Sequence, residues 1–344
     1  MAGSIYKEGS IHYSDNMKKH LLIYTLLVFA IACKKESSIT FTPNNTLAIN
    51  DTTWTTASIG SGKVDSIYNG LFNIPLNVDS FNCGAGGSFL YNDLNHNAVL
   101  TFPALSYNNA GGVPVNGTAT IKIELTVLEK KGDFIKSLIP TNTGKTILSS
   151  SYSFYLRLSV QGQEVFLAPN TYFSFQWTND EPSTVLKFYE GLNLSNPDSL
   201  FNWNYSVNGT IKSTYLAGSP NIKSYQLNSG VTHWNGCFSV LDTSAGTGRL
   251  DIILPPNFTN KNTLVFGLFS NSNAVIRLAP DYNARTFYAT GIPVNAPITA
   301  ISISLIDNIF YLGIPQPGNY SNNIIKLNPK AGAVKDIQTF LNGL

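Results

Sequence analysis

Charge is what this chain has least of. Asp, Glu, Lys and Arg together supply 12% of its 344 residues and leave a net charge of +2. So balanced a composition offers no field for nucleic acid or for a strongly acidic partner. Histidine is scarcer still: His96 and His233 are the two beyond residue 32, and neither has a partner at metal-ligand spacing. Three cysteines, Cys33, Cys83 and Cys237, are too few for a disulfide framework. No Gly-x-Ser-x-Gly elbow is present to carry a hydrolase nucleophile. Apart from residues 21–31, no apolar run approaches the roughly 20 residues of a membrane-spanning helix. These gaps lead to the expectation of a protein that is not an enzyme, holds no metal or other cofactor, and binds no nucleic acid.

What is present begins with residues 17–33. Lys18 and Lys19 form a basic head, residues 21–31 an apolar stretch, and Ala30-Ile31-Ala32-Cys33 a close of small residues on a cysteine. A basic head, a short apolar run and small residues before a cut make a secretory signal. The final four residues look like the site at which bacterial lipoproteins are acylated on cysteine and cleaved before it, although Ala30 stands where Leu is commoner. Met17 reads as the initiator, with residues 1–16 an upstream extension. Removing residues 1–32 takes away three lysines and two acids and leaves the remainder close to neutral. Cys33 is therefore the expected lipidation site, and several acyl chains hold a protein firmly where one holds it weakly. Lys34-Lys35-Glu36-Ser37-Ser38 resembles the segment that favours export to the cell surface in Bacteroidetes lipoproteins, but a single acid leaves both faces of the outer membrane open. Residues 33–50, rich in Ser, Thr and Asn, read as a flexible tether.

Beyond the tether the dominant hydrophobic period is two. Ile121, Ile123, Leu125 and Val127 alternate with polar residues, as do Tyr152, Phe154, Leu156, Leu158 and Val160, then Phe173, Phe175 and Trp177, then Phe201, Trp203, Tyr205 and Val207. Each series predicts a strand with one buried face. Turn signals at Asn108–Gly112, Asn116-Gly117, Thr143-Gly144-Lys145, Gln161-Gly162-Gln163 and Asn208-Gly209 separate them. Many short strands at such spacing predict an all-β chain of two antiparallel β-sandwich domains, divided in the polar, turn-rich stretch near 178–200 into 51–180 and 181–344. Val334, Ile337, Phe340 and Leu341 fall on one helical face and predict a short C-terminal helix; a second short helix is expected at 133–138. The cell envelope permits a disulfide, but Cys83 and Cys237 lie so far apart that they would have to meet across the two domains. Two buried free thiols are the simpler reading.

An ordered series then stands out. Ala98-Val99-Leu100-Thr101-Phe102-Pro103, Gly112-Val113-Pro114-Val115-Asn116-Gly117, the strand at 118–128, Gly144-Lys145, Ile147-Leu148-Ser149-Ser150 and the segment 154–167 together resemble the N-terminal β-domain of a group of uncharacterised Bacteroidetes lipoproteins. That domain is itself somewhat similar to ZU5-type β-sandwich modules. His233-Trp234-Asn235-Gly236-Cys237 resembles the start of a second β-domain in the group, and Tyr311-Leu312-Gly313 its late strand. The resemblance spans most of 80–344 and implies a two-domain β architecture. It implies no activity.

Several segments bear on chemistry. Thr143-Gly144-Lys145-Thr146 has the tail of a phosphate loop, but Ile139 stands where its first glycine belongs, so it reads as a hairpin turn. Asp93, Asn95 and Asn97 alternate as in a calcium loop, yet Ala98 and Ala104 occupy the glycine and bidentate-glutamate positions, and the segment reads as a polar loop. Asp180, Glu181 and Glu190 are the acids nearest an aromatic-rich region and read as solvated charges, although carboxylate pairs of glycosidases meet in space rather than in sequence. Trp54, Trp177, Trp203 and Trp234 could offer flat faces to sugars, but on alternating strands they read as core. Tyr155 is the aromatic residue expected to face outward.

The expected protein is a lipid-anchored β-protein of the outer membrane, with a binding or scaffolding role toward a glycan or protein partner. Two alternatives stand beside it: a fimbrial subunit assembling by strand exchange, against which the predicted terminal helix counts, and a polysaccharide hydrolase. Cys33→Ala is expected to release the protein from envelope membranes in a high-salt wash; retention in the membrane pellet would remove the anchor from the reading.

Overall fold

The alternating segments become strands that pair into four sheets. The computed structural model describes residues 54–55, 74–92, 97–179, 185–191, 201–216, 218–294, 296–321 and 323–344. Sheet 1 has nine strands. Its main path runs β1 (Asn77–Asn82), β5 (Thr120–Leu128), β7 (Thr146–Val160), β14 (His233–Val240), β10 (Lys187–Gly191) and β11 (Trp203–Tyr205). At the two ends of β7, β8 (Gln163–Leu167) and β6 (Asn142–Thr143) fold back on it, and β4 (Tyr107–Asn109) pairs with β8. Sheet 2 runs β12 (Gly209–Leu216), β13 (Ser219–Ser229), β9 (Phe173–Thr178), β3 (Asn97–Phe102) and β2 (Gly87–Asn92).

Sheet 3 runs β18 (Ala279–Asp281), β19 (Thr286–Pro293), β15 (Thr247–Ile253), β23 (Ile324–Leu327) and β22 (Pro315–Ser321). Sheet 4 runs β17 (Val275–Arg277), β16 (Thr263–Phe269), β20 (Ile298–Ile306), β21 (Ile309–Gly313) and β24 (Lys330–Ala331). Two helices complete the described chain, α1 (Lys131–Lys136) and α2 (Val334–Asn342). The architecture is all-β, and its pairings are antiparallel apart from β15 with β23.

Three apolar cores hold these layers together. Between sheets 1 and 2, Ile121, Ile123, Leu125 and Val127 of β5 meet Tyr152, Phe154, Leu156 and Leu158 of β7 and Phe173, Phe175 and Trp177 of β9. Most of the rings sit tilted or edge-on, with Phe154 4.7 Å from Phe175, and Phe175 stacks on Trp177; such pairs are worth about 0.5–1.5 kcal/mol each beyond area burial. Between sheets 3 and 4, Leu250, Ile252, Val265, Phe269, Phe287 and Leu327 enclose Trp54. The middle core joins the two sandwiches. Leu264, Phe266, Leu268, Ile301, Ile303 and Leu305 on the second face of sheet 4 pack on Leu148, Tyr189, Trp203 and Phe238 of sheet 1, with Phe134 and Ile135 of α1 and Ile337 and Leu341 of α2 closing the gap.

A bulge makes the middle core possible. Cys237 lies opposite Tyr152, but Phe238 lies opposite Ser150, so Ser151 is the extra residue. One extra residue reverses which side chains face which way. Tyr152 therefore enters the first core with Cys237 while Leu148 turns outward into the middle one, where it meets Phe238, which faces that way by ordinary alternation after Cys237. Polar contacts stitch the same junction: the Thr141 N–H donates to the Val275 carbonyl at 2.6 Å, and the Asn273 side chain donates to the Glu129 carbonyl at 2.8 Å.

The division expected near 180 is corrected. Residues 180–184 and 192–200 of the turn-rich stretch lie outside the described residues, but the strands on both sides of it belong to the same two sheets. β13 pairs with β9, and β10 with β14. The chain leaves the first sandwich after Val240 and enters the second at Thr247, while Trp54, assigned by sequence to the first, is buried in the second. Antiparallel pairing brought Tyr225 and Leu227 back against Phe175 and Trp177, a long-range closure that composition does not reveal. Residues Thr52–Leu344 form one compact unit.

Both predicted helices are present, α1 starting two residues earlier than expected. The strand read into 201–207 stops at Tyr205; Trp203 is buried, but Tyr205 and Val207 are exposed. Trp203 is the hub of the middle core. Its ring meets Phe201, Trp234 and Phe238 edge-on, and its Nε1–H donates to the Pro140 carbonyl at 2.9 Å. Trp203→Ala is expected to cost about 3–5 kcal/mol, read as a lowered urea midpoint, and to loosen both sandwiches together rather than one alone.

Candidate functional site

The outer face of sheet 1 is covered by sheet 4 over part of its area and open over the rest. On the open part several charged side chains gather around a row of rings. Alternation along β5 and β7 turns Glu124, Tyr155 and Arg157 outward as it turns Ile123, Phe154, Leu156 and Leu158 inward. β8 adds Glu164 and Phe166 while its Val165 enters the core. β14 adds Trp234, directly opposite Tyr155.

His233 joins them by an unusual route. It lies opposite Leu156, a core residue, and regular alternation would send its ring inward. Its backbone instead adopts φ of 81°, in the left-handed region that costs of order 1–3 kcal/mol for a residue with a side chain. The imidazole lies on Tyr155, ring centroids 5.6 Å apart and planes within 8° of parallel. Phe166 meets the imidazole edge-on at 6.2 Å, and Trp234 meets Tyr155 at 5.1 Å. His233 Nε2 is 2.6 Å from Glu164 Oε1.

The neighbouring charges are interlocked. Arg157 donates to Glu124 Oε2 at 2.7 Å and Lys122 donates to Oε1 at 2.6 Å. Lys122 and Arg157 hold the Glu124 carboxyl below its ordinary range. Burial, with the Glu164 charge nearby, pushes the Tyr155 phenol up. The result is a half-buried platform of parallel and tilted rings, bordered by two carboxylates and a guanidinium. Such a face can stack a flat apolar ligand surface and accept or donate hydrogen bonds at its rim.

A groove of about 630 Å³ opens near the β7–β8 hairpin. Its polar lining includes Asn109, Asn116, Thr118, Gln161 and Gln163 and carries no charged residue. Asn109 Oδ1 accepts from the Gly111 and Val113 backbone, and Asn116 Oδ1 from Thr118. Both carbonyls are thereby engaged locally, and the amide NH2 groups are left as oriented donors.

The other residues singled out by sequence fall elsewhere. Cys33, Asp93, Asn95, His96, Asp180 and Glu181 lie outside the described residues. Asn97 and Ala98 belong to β3. Thr143 and Thr146 pair across a turn in which Gly144 has φ of 56°, a hairpin and not a phosphate loop. Glu190 accepts from Ser206 Oγ and from Asn208 Nδ2, a local clamp between β10 and the β11–β12 connection. Cys83 and Cys237 are buried, unpaired thiols, and burial raises both. Trp54, Trp177 and Trp203 are core, Trp234 is half-buried at the edge of the middle core, and Tyr155 faces the outer side as expected. Among the described residues no group of three His, Cys, Asp or Glu is placed to hold a metal, and no helix is long and apolar enough to cross a membrane.

Sequence reasoning missed Glu164, Arg157, Glu124 and Phe166. His233 and Glu164 are 69 residues apart, and no spacing rule connects them. Compared with family models, curated proteins and solved structures, the chain matches none of them.

Because the folded-state carboxyl of Glu124 titrates lower than its ordinary pKa, its contribution to stability is complete above that value, 4.5, and is lost as pH falls through the depressed folded pKa. Glu124→Gln is expected to flatten this acid limb in urea unfolding measured across the range and to cost up to about 1 kcal/mol at neutral pH.

Proposed function

We propose that this chain is a lipid-anchored, cell-envelope β-protein that binds glycan on the open face of sheet 1 and catalyses no reaction. One observation carries the reading: Tyr155 and His233 are stacked parallel, flanked by Trp234 and Phe166, and fixed by the His233–Glu164 pair on a rigid sheet. Rings of this kind suit the apolar faces of sugar rings, and the bordering Glu124, Arg157 and Glu164 suit their hydroxyls. A protein partner would favour a more contiguous apolar surface with a charge-depleted centre. The uncharged, amide-rich groove beyond β8 favours the same neutral, hydroxyl-bearing chemistry.

The anchor rests on the basic head, apolar run and small residues closing on Cys33. The resemblance to envelope lipoproteins agrees with it, and the outer membrane is the address it implies. A chain so poor in charge, solvated largely by Asn, Ser, Thr and Gly, fits an extracytoplasmic setting. Glu124 is tied to Lys122 and Arg157, and Glu164 to His233, so neither stands as an unengaged carboxylic acid of the kind glycoside hydrolysis requires.

Binding to an immobilised panel of neutral and acidic polysaccharides tests the proposal. Tyr155→Ala is expected to weaken retention about ten-fold, the loss of roughly 1.4 kcal/mol, while Arg249→Ala on the second sandwich leaves it unchanged. Equal retention of wild type and Tyr155→Ala, or no retention of wild type on any polysaccharide, would count against glycan binding at this face.

A further inference from the structure

The hairpin that carries Glu164 and Phe166 to the open face of sheet 1 sends Gln163 and Val165 to the opposite side. There the groove of about 630 Å³ opens at the rim of the first core, a size usual for a ligand pocket. Its walls are preformed. On the loop after β4 the Asn109 N–H donates to the Val113 carbonyl at 2.9 Å, and the Val115 N–H to the Tyr107 carbonyl at 2.8 Å. The next turn is tied back by the Gly84 N–H, which donates to the Gly117 carbonyl at 2.7 Å. Asn109 and Asn116 have their oxygens engaged by that loop, so each offers its NH2 alone. Gln161 and Gln163 differ. Among the described residues neither carboxamide has a hydrogen-bond partner, so each offers a donor and an acceptor together. The apolar part of the lining is Val113, Pro114, Val115, Val160 and Val165.

Carboxamides beside methyl groups match a ligand that carries the same pair. An acetamido group is a planar amide with one N–H, one carbonyl and one methyl. Against a free carboxamide it can exchange two hydrogen bonds, and its methyl can leave water for a valine surface. A plain hydroxyl would use the amides and leave the valines wet. We propose that this groove is a second binding site, for the N-acetylated amino sugars of a neutral glycan. Gln161 and Gln163 pair with the acetamido group, Asn109 and Asn116 donate to sugar oxygens, and the valines receive the methyl. No charged residue lines the groove, which disfavours a uronate, a sulfate or a phosphate. A peptide would ask for a free strand edge. β8 already pairs with β7 on one side and β4 on the other, and the outer edge of β4 is taken by Val113–Val115. The site lies on the other face of the hairpin from the ring platform, and it stands whether or not that platform holds sugar.

Calorimetric titration of the full-length Tyr155→Ala protein decides the matter, because that substitution removes the central ring of the platform. Oligosaccharides of N-acetylglucosamine are expected to bind at least about ten-fold more tightly than glucose oligosaccharides of the same length and linkage. Adding Gln163→Ala should lower the affinity for the acetylated series about ten-fold and leave the glucose series unchanged. The urea midpoint should not move, since Gln163 is exposed. Val113→Asp, which sets a charge against the methyl, should weaken the acetylated series while sparing every amide. Equal affinity for the two series, or an acetylated series indifferent to both substitutions, would overturn the inference. So would the absence of binding to either series, or tighter binding of a polyglutamine peptide than of the sugars. The platform is judged apart from this, by wild type against Tyr155→Ala on the polysaccharide panel.

Discussion

A sheet that is apolar on both faces must be covered on both. β16 is buried at every position from Thr263 to Phe269, and β20 is buried from Ala300 to Leu305. Sheet 3 covers one of these faces, and the other would face water if the outer side of sheet 1 and the two helices did not close over it. At roughly 1.5–3 kcal/mol for each large apolar side chain removed from water, six such residues on the second face decide whether the second sandwich stands at all. The bulge at Ser151, the outward turn of Leu148 and Phe238, and the Trp203–Pro140 hydrogen bond all serve that closure. The two sandwiches are therefore one cooperative body, and a boundary drawn between them marks topology more than independence.

The same requirement shapes the open face. Rings continue from the covered region to the exposed one in a connected series, from Phe238 and Trp203 through Trp234 to Tyr155 and His233. One end of the series is locked in the middle core, so the exposed end stands on rigid support, as a binding platform requires. The strained backbone of His233 survives because its neighbours hold it: Tyr155 below, Phe166 at the edge and Glu164 at Nε2. Lys122, Glu124, Arg157, Glu164 and His233 share this one surface.

Much of the first sandwich was legible in the sequence, because strict alternation over Ile121–Val127, Tyr152–Leu158 and Phe173–Trp177 leaves one arrangement of inside and outside. The two helices were legible for the corresponding reason, with Ile337 and Leu341 at helical spacing. Three things were not. Partner choice between distant strands, such as β13 with β9, leaves no local trace, so the turn-rich run before β11 passed for a linker. A bulge changes the parity of a strand without changing its composition, which hid the outward role of Leu148. The His233 cluster depends on a backbone angle and on residues tens of positions apart, and a histidine in isolation carries neither.

Cys83 and Cys237 are fully enclosed in the first core without being bonded to each other. Enclosure makes them chemically inert in the finished protein, but that protection arrives late. Cys83 follows the edge strand β1, whereas β14, which carries Cys237, joins sheet 1 only after more than a hundred further residues have followed β1. A chain crossing an oxidising compartment unfolded would carry two accessible thiols throughout that interval. The order in which strands are added then becomes a race between collapse and oxidation, and a variant that folds to the same end point too slowly would be lost to mispaired sulfur rather than to instability.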